Sequence, residues 1–522
     1  MRKVDILIVG SGIAGLSSAI KAKSLGADVA VATKGVATKS NSVMAQGGMN
    51  VALSNIDSDS PNLHISDTLK SSHNLADKEM VSKLCNGGID AIKFLEEIGV
   101  PFSRLDGAKT PLKSIAQRAL GGASAKRACY AQDYTGLKIL HTLLDRAVNL
   151  DIPIFEGLFL LELIKNSDGE VCGGLFFNFD SGEIEPIYAG KVIIATGGFG
   201  AIYSKNTNSA TSTGDGLSAI LRASGELSNL EFVQFHPTTL KGSNILISES
   251  ARGEGGYLVN CEGERFIDEL STRDKIAKAI FEQLKQNREV FLDLRHIGKD
   301  KLEHLMPQEL KLIKQYANTD ATQELVAIEP AVHYTMGGAS VNEQFEVIGL
   351  KGCYCIGEAS NANVHGANRL GGNSLLEAVT FGLLGASEAL NTIASKIEEQ
   401  EFNYTLPLAK DSDNLEVYKA KNYLADTLFK QVGIIRNEQN LLKALEAIEE
   451  LNIDSLKIDD SPKYSTLIIE LLELQNASIL AKALIKSALW RKESRGAHIR
   501  SDYTDELVEF KKNSTVSKKD LV

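Results

Sequence analysis

The chain has 522 residues, of which 43% are hydrophobic and 24% charged, the make-up of a folded protein with room for two or three domains. A net charge of −11 excludes the basic face that nucleic-acid binding needs. Six cysteines at 85, 129, 172, 261, 353 and 355 include no C-x-x-C pair, so no disulfide framework, zinc site, iron–sulfur cluster or attached c-type haem is expected, and any electron relay is assigned to another chain. The N-terminus runs straight into an apolar strand without a signal-peptide pattern. No uncharged apolar run reaches 18 residues, so direct membrane insertion is not expected. A cytoplasmic location, or one peripheral to the inner membrane through partner subunits, follows.

The first predicted strand is Val4–Val9, "VDILIV". Gly10-Ser11-Gly12-Ile13-Ala14-Gly15 follows, then a helix over Leu16–Leu25 and a second strand over Asp28–Thr33. This is the dinucleotide fingerprint in its required strand–turn–helix setting. Gly10 permits the tight turn, Gly12 lets backbone approach a pyrophosphate, and Gly15 lets helix and strand pack closely. The acid that binds ribose in NAD proteins is missing, because the second strand ends Ala32-Thr33-Lys34. Two further strand ends are glycine-rich: "KVIIAT" at 191–196 before Gly197-Gly198, and "GCYCIGE" at 352–358. Cys353 and Cys355 alternate in that apolar run and read as strand residues. Three strand ends converging on one crevice fit FAD better than NAD.

The predicted fold class is α/β: a Rossmann-like FAD-binding domain, an inserted α+β capping domain and a C-terminal helical domain. The FAD-binding domain is discontinuous, over 1–225 and 334–395. Residues 226–333 form the cap, with two helices expected, and a cap of this kind excludes water over a cofactor. Residues 396–415 are polar and read as a linker. Apolar residues at three-and-four spacing mark the helical domain, over 410–500. The segment 501–522 reads as a polar, frayed tail.

Candidate chemistry lies in glycine-bordered segments that carry His236, Ser248, Arg252, Arg273, His333 and Arg369. Arginine gives bidentate forks to carboxylates, and histidines and hydroxyls add donors, which suits a small dicarboxylate held at both ends. Either histidine alone reads equally well as a satisfied core residue.

The ordered motifs "GSGIAGL" at 10–16, "AQGG" at 45–48, "ATGGFG" at 195–200, "STGDG" at 212–216, "LEFVQFHPT" at 230–238, "RGEGG" at 252–256, "STRD" at 271–274, "AVHYTMGG" at 331–338, "HGANRLGGNSLLE" at 365–377 and "RKESRGAH" at 491–498 resemble one family nearly end to end. It is the flavoprotein-subunit family of fumarate reductases and succinate dehydrogenases, which also includes L-aspartate oxidases. The resemblance implies FAD as cofactor and hydride transfer between flavin N5 and fumarate or succinate. It implies His236, Ser248, His333 and Arg369 as carboxylate ligands, with Ser248 where the family usually has threonine. Arg273 is implied as the proton donor, and Glu249 and Arg252 as its relay. A purely electrostatic role for Arg273 is the alternative. Around FAD it implies Gly10, Ser11, Gly12, Gly15, Lys34, Ser40, Asn41, Gln46, Gly47, Gly48, Ala195, Thr196, Gly197, Asp215, Glu358, Ser374 and Leu375. An iron–sulfur or other electron-transfer subunit is implied as partner, with a soluble flavin or a quinol-linked complex left open as donor.

One position separates members of the family. Covalently flavinylated members carry a histidine in an S-H-T-V-A-A-Q-G-G-like segment, and here the segment is Ser40-Asn41-Ser42-Val43-Met44-Ala45-Gln46-Gly47-Gly48. Asparagine has no nucleophilic imidazole, so non-covalent FAD and a tilt toward fumarate reduction are expected. The alternative is L-aspartate oxidase, whose substrate ammonium needs a carboxylate. Leu120, in "QRALGG", occupies the position where that subfamily has its acid. A non-enzymatic FAD-binding scaffold would lack the carboxylate clamps, which are present.

Overall fold

The computed structural model describes residues 2–107, 110–392, 394–412 and 414–521. Residues 1, 108, 109 and 393 of the expected FAD-binding domain, 413 of the expected linker and 522 of the expected tail lie outside the described residues.

A seven-stranded sheet forms the centre. Its order is Ile154–Phe155, Val29–Ala32, Arg2–Val9, Ile184–Ile194, Val171–Asn178, Leu158–Lys165, with Cys353–Cys355 pairing to the end of Ile184–Ile194 on the edge opposite Arg2–Val9. The strands around the glycine fingerprint are parallel, in register Ile8 with Val31 and Ile8 with Ile193. Ile6 and Ile8 face one core, with Ile13, Leu16, Leu375 and Leu376 of the helices Ile13–Ser24 and Asn373–Asn391. Leu7 and Val9 face the opposite core, with Phe159 and Val192. Burial on both faces explains why the strand "VDILIV" reads as a near-continuous apolar run.

A second sheet belongs to the cap: Val233–Leu240, Val326–Thr335, Val290–Asp293 and Tyr257–Asn260, all antiparallel neighbours. Among the described residues the cap holds four helices rather than the expected two: Glu249–Gly253, Arg273–Lys285, Lys299–Leu305 and Pro307–Ala317. Pro307 has no N–H to donate to a preceding turn, so it starts a helix instead of extending one. The C-terminal helices are Leu415–Gln431, Glu438–Glu450 and Thr466–Trp490. The architecture is thus the mixed α/β arrangement with a capping layer and helical C-terminal part that the sequence suggests.

Two expectations change. The stretch over 396–412 is a packed strap, with Phe402, Tyr404, Leu406 and Leu408 against the main core and Ala409 N–H donating to Ile458 O at 2.9 Å. The C-terminal tail is ordered, not frayed. Thr515–Val516 pairs antiparallel with Leu227–Ser228, and Val516 is buried. The cause is a buried ionic cluster at "RKESRGAH". Arg491 and Glu231, both fully buried, pair at 2.5 Å. Arg491 also donates to Glu493 (3.0 Å), Phe510 O (2.6 Å) and Lys512 O (2.8 Å). Glu231 in turn accepts from Ser514 Oγ at 2.7 Å.

Removing one member of such a buried set strands the other charges. Arg491→Ala is expected to cost about 3–5 kcal/mol of stability, measured by chemical denaturation. Limited proteolysis of the same variant should cut first in 508–521.

Candidate active site

A cavity of about 410 Å³ runs from the carboxyl ends of the central parallel strands to the inner side of the cap. At one end the glycine fingerprint shapes it. Gly10 has φ +113°, and a Cβ there would lie 2.3 Å from Ala195 O. The helix Ile13–Ser24 starts at Gly12 with no capping side chain of its own, so its positive N-terminal end opens on the cavity. Ser11, Lys34, Ser40, Asn41, Gln46, Gly47, Gly48, Ala195, Thr196, Gly197, Asp215, Glu358, Ser374 and Leu375 line the same wall. Gly15 does not: it lies beneath the turn, where a Cβ would meet Gly10 O at 2.0 Å, so it serves packing instead of contact.

Several groups there await a partner. Ser40 Oγ, Gln46 Oε1 and Thr196 Oγ1 are buried without any hydrogen bond, although their residues face the cavity. Buried polar atoms are normally satisfied, so these donors and acceptors fit a polar ligand such as the ring and ribityl chain of FAD. Lys34 Nζ is held by Thr213 Oγ1 (2.8 Å), Asp215 (2.6 Å) and Glu473 (2.6 Å). Burial would lower its pKa, but the two carboxylates outweigh burial and raise it. Asn41 is also engaged: Ser209 N–H donates to its Oδ1 at 3.0 Å and its Nδ2 reaches Asn208 Oδ1 at 3.4 Å.

The other end is cationic. Arg273, the first residue of its helix, donates twice to Glu249 Oε2 (2.8 and 2.6 Å) and once to Gln234 Oε1 (3.1 Å). Glu249 also accepts from Gly121 N–H at 2.6 Å. A Cβ at Gly121 or Gly371 would come within 2.5 Å of that carboxylate, so side chains at either position would displace it. Burial pushes the Glu249 carboxyl up, but Arg273 and Arg252 outweigh burial and hold it below the ordinary range. Arg369 donates to Ser374 Oγ at 3.2 Å, lies over the Tyr334 ring at 4.4 Å, and has a buried Nε without a partner. Burial and the nearby Arg273 charge lower its pKa to about 9, which still leaves it cationic at neutral pH.

His236 sits where the cap sheet slips register between His236 and Thr239, and such bulges re-aim side chains. Its ring and that of His333 are 4.9 Å apart. Burial, then Arg273, drive both pKa values well below the ordinary value, so both rings are neutral. Thr238 N–H donates to His236 Nδ1 at 3.3 Å, and Thr207 Oγ1 meets His333 Nδ1 at 2.8 Å. His236 Nδ1 also lies 3.2 Å from Thr238 O, so these contacts fix the ring orientations and leave each Nε2 facing the cavity side. Ser248 accepts from Ser250 N–H (3.2 Å) and Ser250 Oγ (2.8 Å), and its hydroxyl also interacts with the Glu309 carboxyl behind it.

The fold therefore brings the expected polar residues to one cavity, with two exceptions. Gly15 is the first. Arg252 is the second: it lies behind Glu249 and donates to Glu269 O at 2.6 Å, off the cavity wall. Gln234 is a residue the sequence reading missed. It ties Arg273 to Asn368 Oδ1 and Arg369 O, both at 2.9 Å. Strand alternation would have found it, since it lies two residues before His236 on the same strand. Thr207, inside a Ser/Thr/Asn-rich loop, carried no such signal.

Known proteins agree with this architecture. An FAD binding domain model matches residues 5–375, and a fumarate reductase flavoprotein C-terminal model matches 421–521. The succinate dehydrogenase flavoprotein subunit of Rickettsia conorii is 36% identical over 96% of this chain and 91% of its own. An uncharacterised FAD-dependent oxidoreductase of Methanocaldococcus jannaschii is 35% identical over 99% of this chain and 97% of its own. Among solved structures, FrdA from a mutant E. coli quinol fumarate reductase superposes with TM-score 0.89 at 30% identity, covering 99% of this chain and 95% of that one.

The FAD end generates a direct test. Gly12→Asp places a carboxylate at the helix N-terminus, where a pyrophosphate would be repelled. FAD affinity, measured by flavin fluorescence, should fall at least about tenfold. Far-UV circular dichroism should be unchanged.

Proposed function

The chain belongs to the succinate dehydrogenase and fumarate reductase flavoprotein-subunit family and is an FAD-dependent oxidoreductase, and from that premise we propose that it interconverts fumarate and succinate, working as a fumarate reductase on non-covalently held FAD. The observation that carries the proposal is Arg273. It is buried, doubly bonded to Glu249, and flanked by Arg369, His236 and His333 at the end of the cofactor cavity.

Bound FAD supplies the hydride donor or acceptor. The rest is the work of side chains. Arg369, the two neutral histidines and Ser248 orient the substrate's two carboxylates. Their fixed donors strengthen as negative charge moves onto one carbon and its carboxylate, which is the charge development that catalysis must favour. Arg273 gives a guanidinium proton to that carbon, so hydride and proton together convert fumarate to succinate with no change in the carboxylate charges. The Glu249 carboxylate, bonded to two guanidinium nitrogens, is the group through which Arg273 is reprotonated. Arg252, three residues along the same short helix, supports Glu249 electrostatically from behind.

Asn41 supports the non-covalent reading. Its amide is engaged by Ser209 and Asn208 and offers no nucleophilic ring nitrogen. Leu120 argues against aspartate as substrate. A Cβ at Gly47 would lie 3.7 Å from Leu120 and 3.8 Å from Ser248 Oγ, so Leu120 presents an apolar surface to the cavity beside Gly47, near Ser248. An ammonium group gains nothing from such a neighbour. For electron supply we propose a separate electron-transfer subunit. The solved relatives include a quinol–fumarate reductase and an Sdh1 complex of Mycobacterium smegmatis, which supports this.

Two outcomes are expected. Arg273→Ala should lower fumarate-dependent oxidation of reduced viologen by at least about 10²-fold while FAD content holds, as for the loss of a general acid. Acid precipitation of the native protein should leave the flavin in the supernatant, and a yellow pellet would refute the reading of Asn41.

A further inference from the structure

Behind the substrate end lies a second buried polar cluster that the proposed reaction does not use. Glu309, in the first turn of the helix Pro307–Ala317, is 2% exposed. Its Oε1 accepts the Ser248 N–H at 2.7 Å, and its Oε2 has no partner. Asp133 is fully buried and reaches across from the segment before the helix Thr135–Asn149. Its Oδ2 accepts the N–H groups of Gln308 (2.7 Å) and Glu309 (3.1 Å), capping the cap-domain helix, while its Oδ1 has no partner. Arg118 is the cation that faces the pair. Its Nε and Nη2 serve the carbonyls of Gly47 (2.9 Å), Gln46 (2.8 Å) and Gln132 (2.7 Å), and its Nη1 is buried and unbonded. Tyr130 lies against the Arg118 guanidinium, and Glu254 adds a more distant negative charge.

Two buried carboxyls therefore share one helix N-terminus and one partly engaged guanidinium. Ionising both is unfavourable, because desolvation and mutual repulsion act together, and one proton is retained. Asp133 accepts two helix N–H bonds, which favour its charged form. Glu309 accepts one.

We propose that Glu309 is a positioning residue of the dicarboxylate subsite: it fixes Ser248 through the backbone N–H, and the proton it holds against Asp133 keeps a negative charge from the back of that subsite. This rests on the dicarboxylate reading above. Burial, then Asp133, push the Glu309 carboxyl up to about 7, consistent with its being the protonated member. Below that pH the group behind Ser248 is neutral and a substrate dianion is accepted best. As pH rises through about 7 Glu309 ionises and the dianion is repelled, so affinity falls with rising pH.

The test uses the FAD-loaded protein and malonate, a dicarboxylate that does not react, titrated calorimetrically between about pH 6 and pH 9. Wild-type affinity should weaken about tenfold across that range beyond whatever Glu309→Gln shows. Gln keeps the acceptor for Ser248 N–H and carries no titrating proton. Glu309→Leu, which loses the acceptor, should bind weakly at every pH, with Gln restoring what Leu loses. Asp133→Asn removes the like charge and should shift the wild-type inflection to lower pH. Parallel pH profiles for wild type and Glu309→Gln would overturn this inference while leaving the dicarboxylate reading intact. Malonate binding to none of the proteins at any pH would overturn both.

Discussion

The active site depends on keeping positive charge out of water in excess of the negative charge that balances it. Arg273, Arg369 and Arg252 are all at most 8% exposed, and among them Glu249 is the carboxylate that bonds Arg273 directly. The neighbouring histidines are held neutral, so they neither add to the excess nor relieve it. Burying guanidinium groups is costly unless they are paired. The unpaired Nε of Arg369, whose residue lines the cavity, shows that pairing there is incomplete within the described protein. The dianion of the proposed reaction is the class of ligand that such an excess of cation favours, and charge sets that preference before shape does.

That arrangement needs two bodies of chain. The nucleotide-binding sheet contributes backbone glycines and the segment Ser40–Gly48. The cap contributes Arg273 at a helix start, His236 at a register slip and Ser248 at the head of a five-residue helix. Each is a place where regular structure ends, because only there can a side chain be aimed inward without being part of a continuous packed face. Gln234, Asn368 and the backbone of Arg369 then bridge cap and nucleotide-binding segments around Arg273. The guanidinium is positioned by contacts from both, so its placement depends on how the cap sits.

What was legible in the sequence divides along the same line. The first βαβ unit, the glycine turns and the cationic residues could be read because their signals are local: spacing, alternation and composition. The ordered tail could not. "FKKNSTVSKKDLV" is polar enough to suggest fraying, and through residue 521 it is held by partners far away in sequence: Leu227–Ser228 pair with Thr515–Val516, and Glu231, which pairs with Arg491 260 positions on, accepts from Ser514. The strap over 396–412 was overlooked for another reason: Phe402, Tyr404, Leu406 and Leu408 do alternate with a period of two, but the run is short, holds Pro407 and is flanked by the charged stretches "KIEEQE" and "KDSD", which read as linker. Asp133 and Glu309 were invisible for a related reason. Acids in a polar stretch read as surface residues, and only the docking of one domain's carboxylate onto the other's helix buries both. Arg252 was read with Glu249 as the relay of Arg273, and the sequence could not show that it stands behind the carboxylate instead of on the cavity wall.

The same charge argument bears on the choice between a plain and an amino-substituted dicarboxylate. An ammonium group brought into this site adds a cation where cations are already in excess, so it needs a carboxylate of its own. At the cationic end, Glu249 is the acid that lines the cavity, and it is committed to Arg273 and to Gly121 N–H. Glu358 is committed to Thr335, whose N–H it accepts at 3.1 Å, and burial raises its carboxyl pKa to about 7, so part of it is neutral at physiological pH. Leu120 presents methyl groups to the cavity beside Gly47, near Ser248. Moving Glu249 to meet an ammonium would cost the Arg273 pair, and with it the proton relay that the proposed reduction requires. On the proposed reading, substrate charge and proton delivery are thus set by one carboxylate, and its commitment to Arg273 favours an unsubstituted dianion.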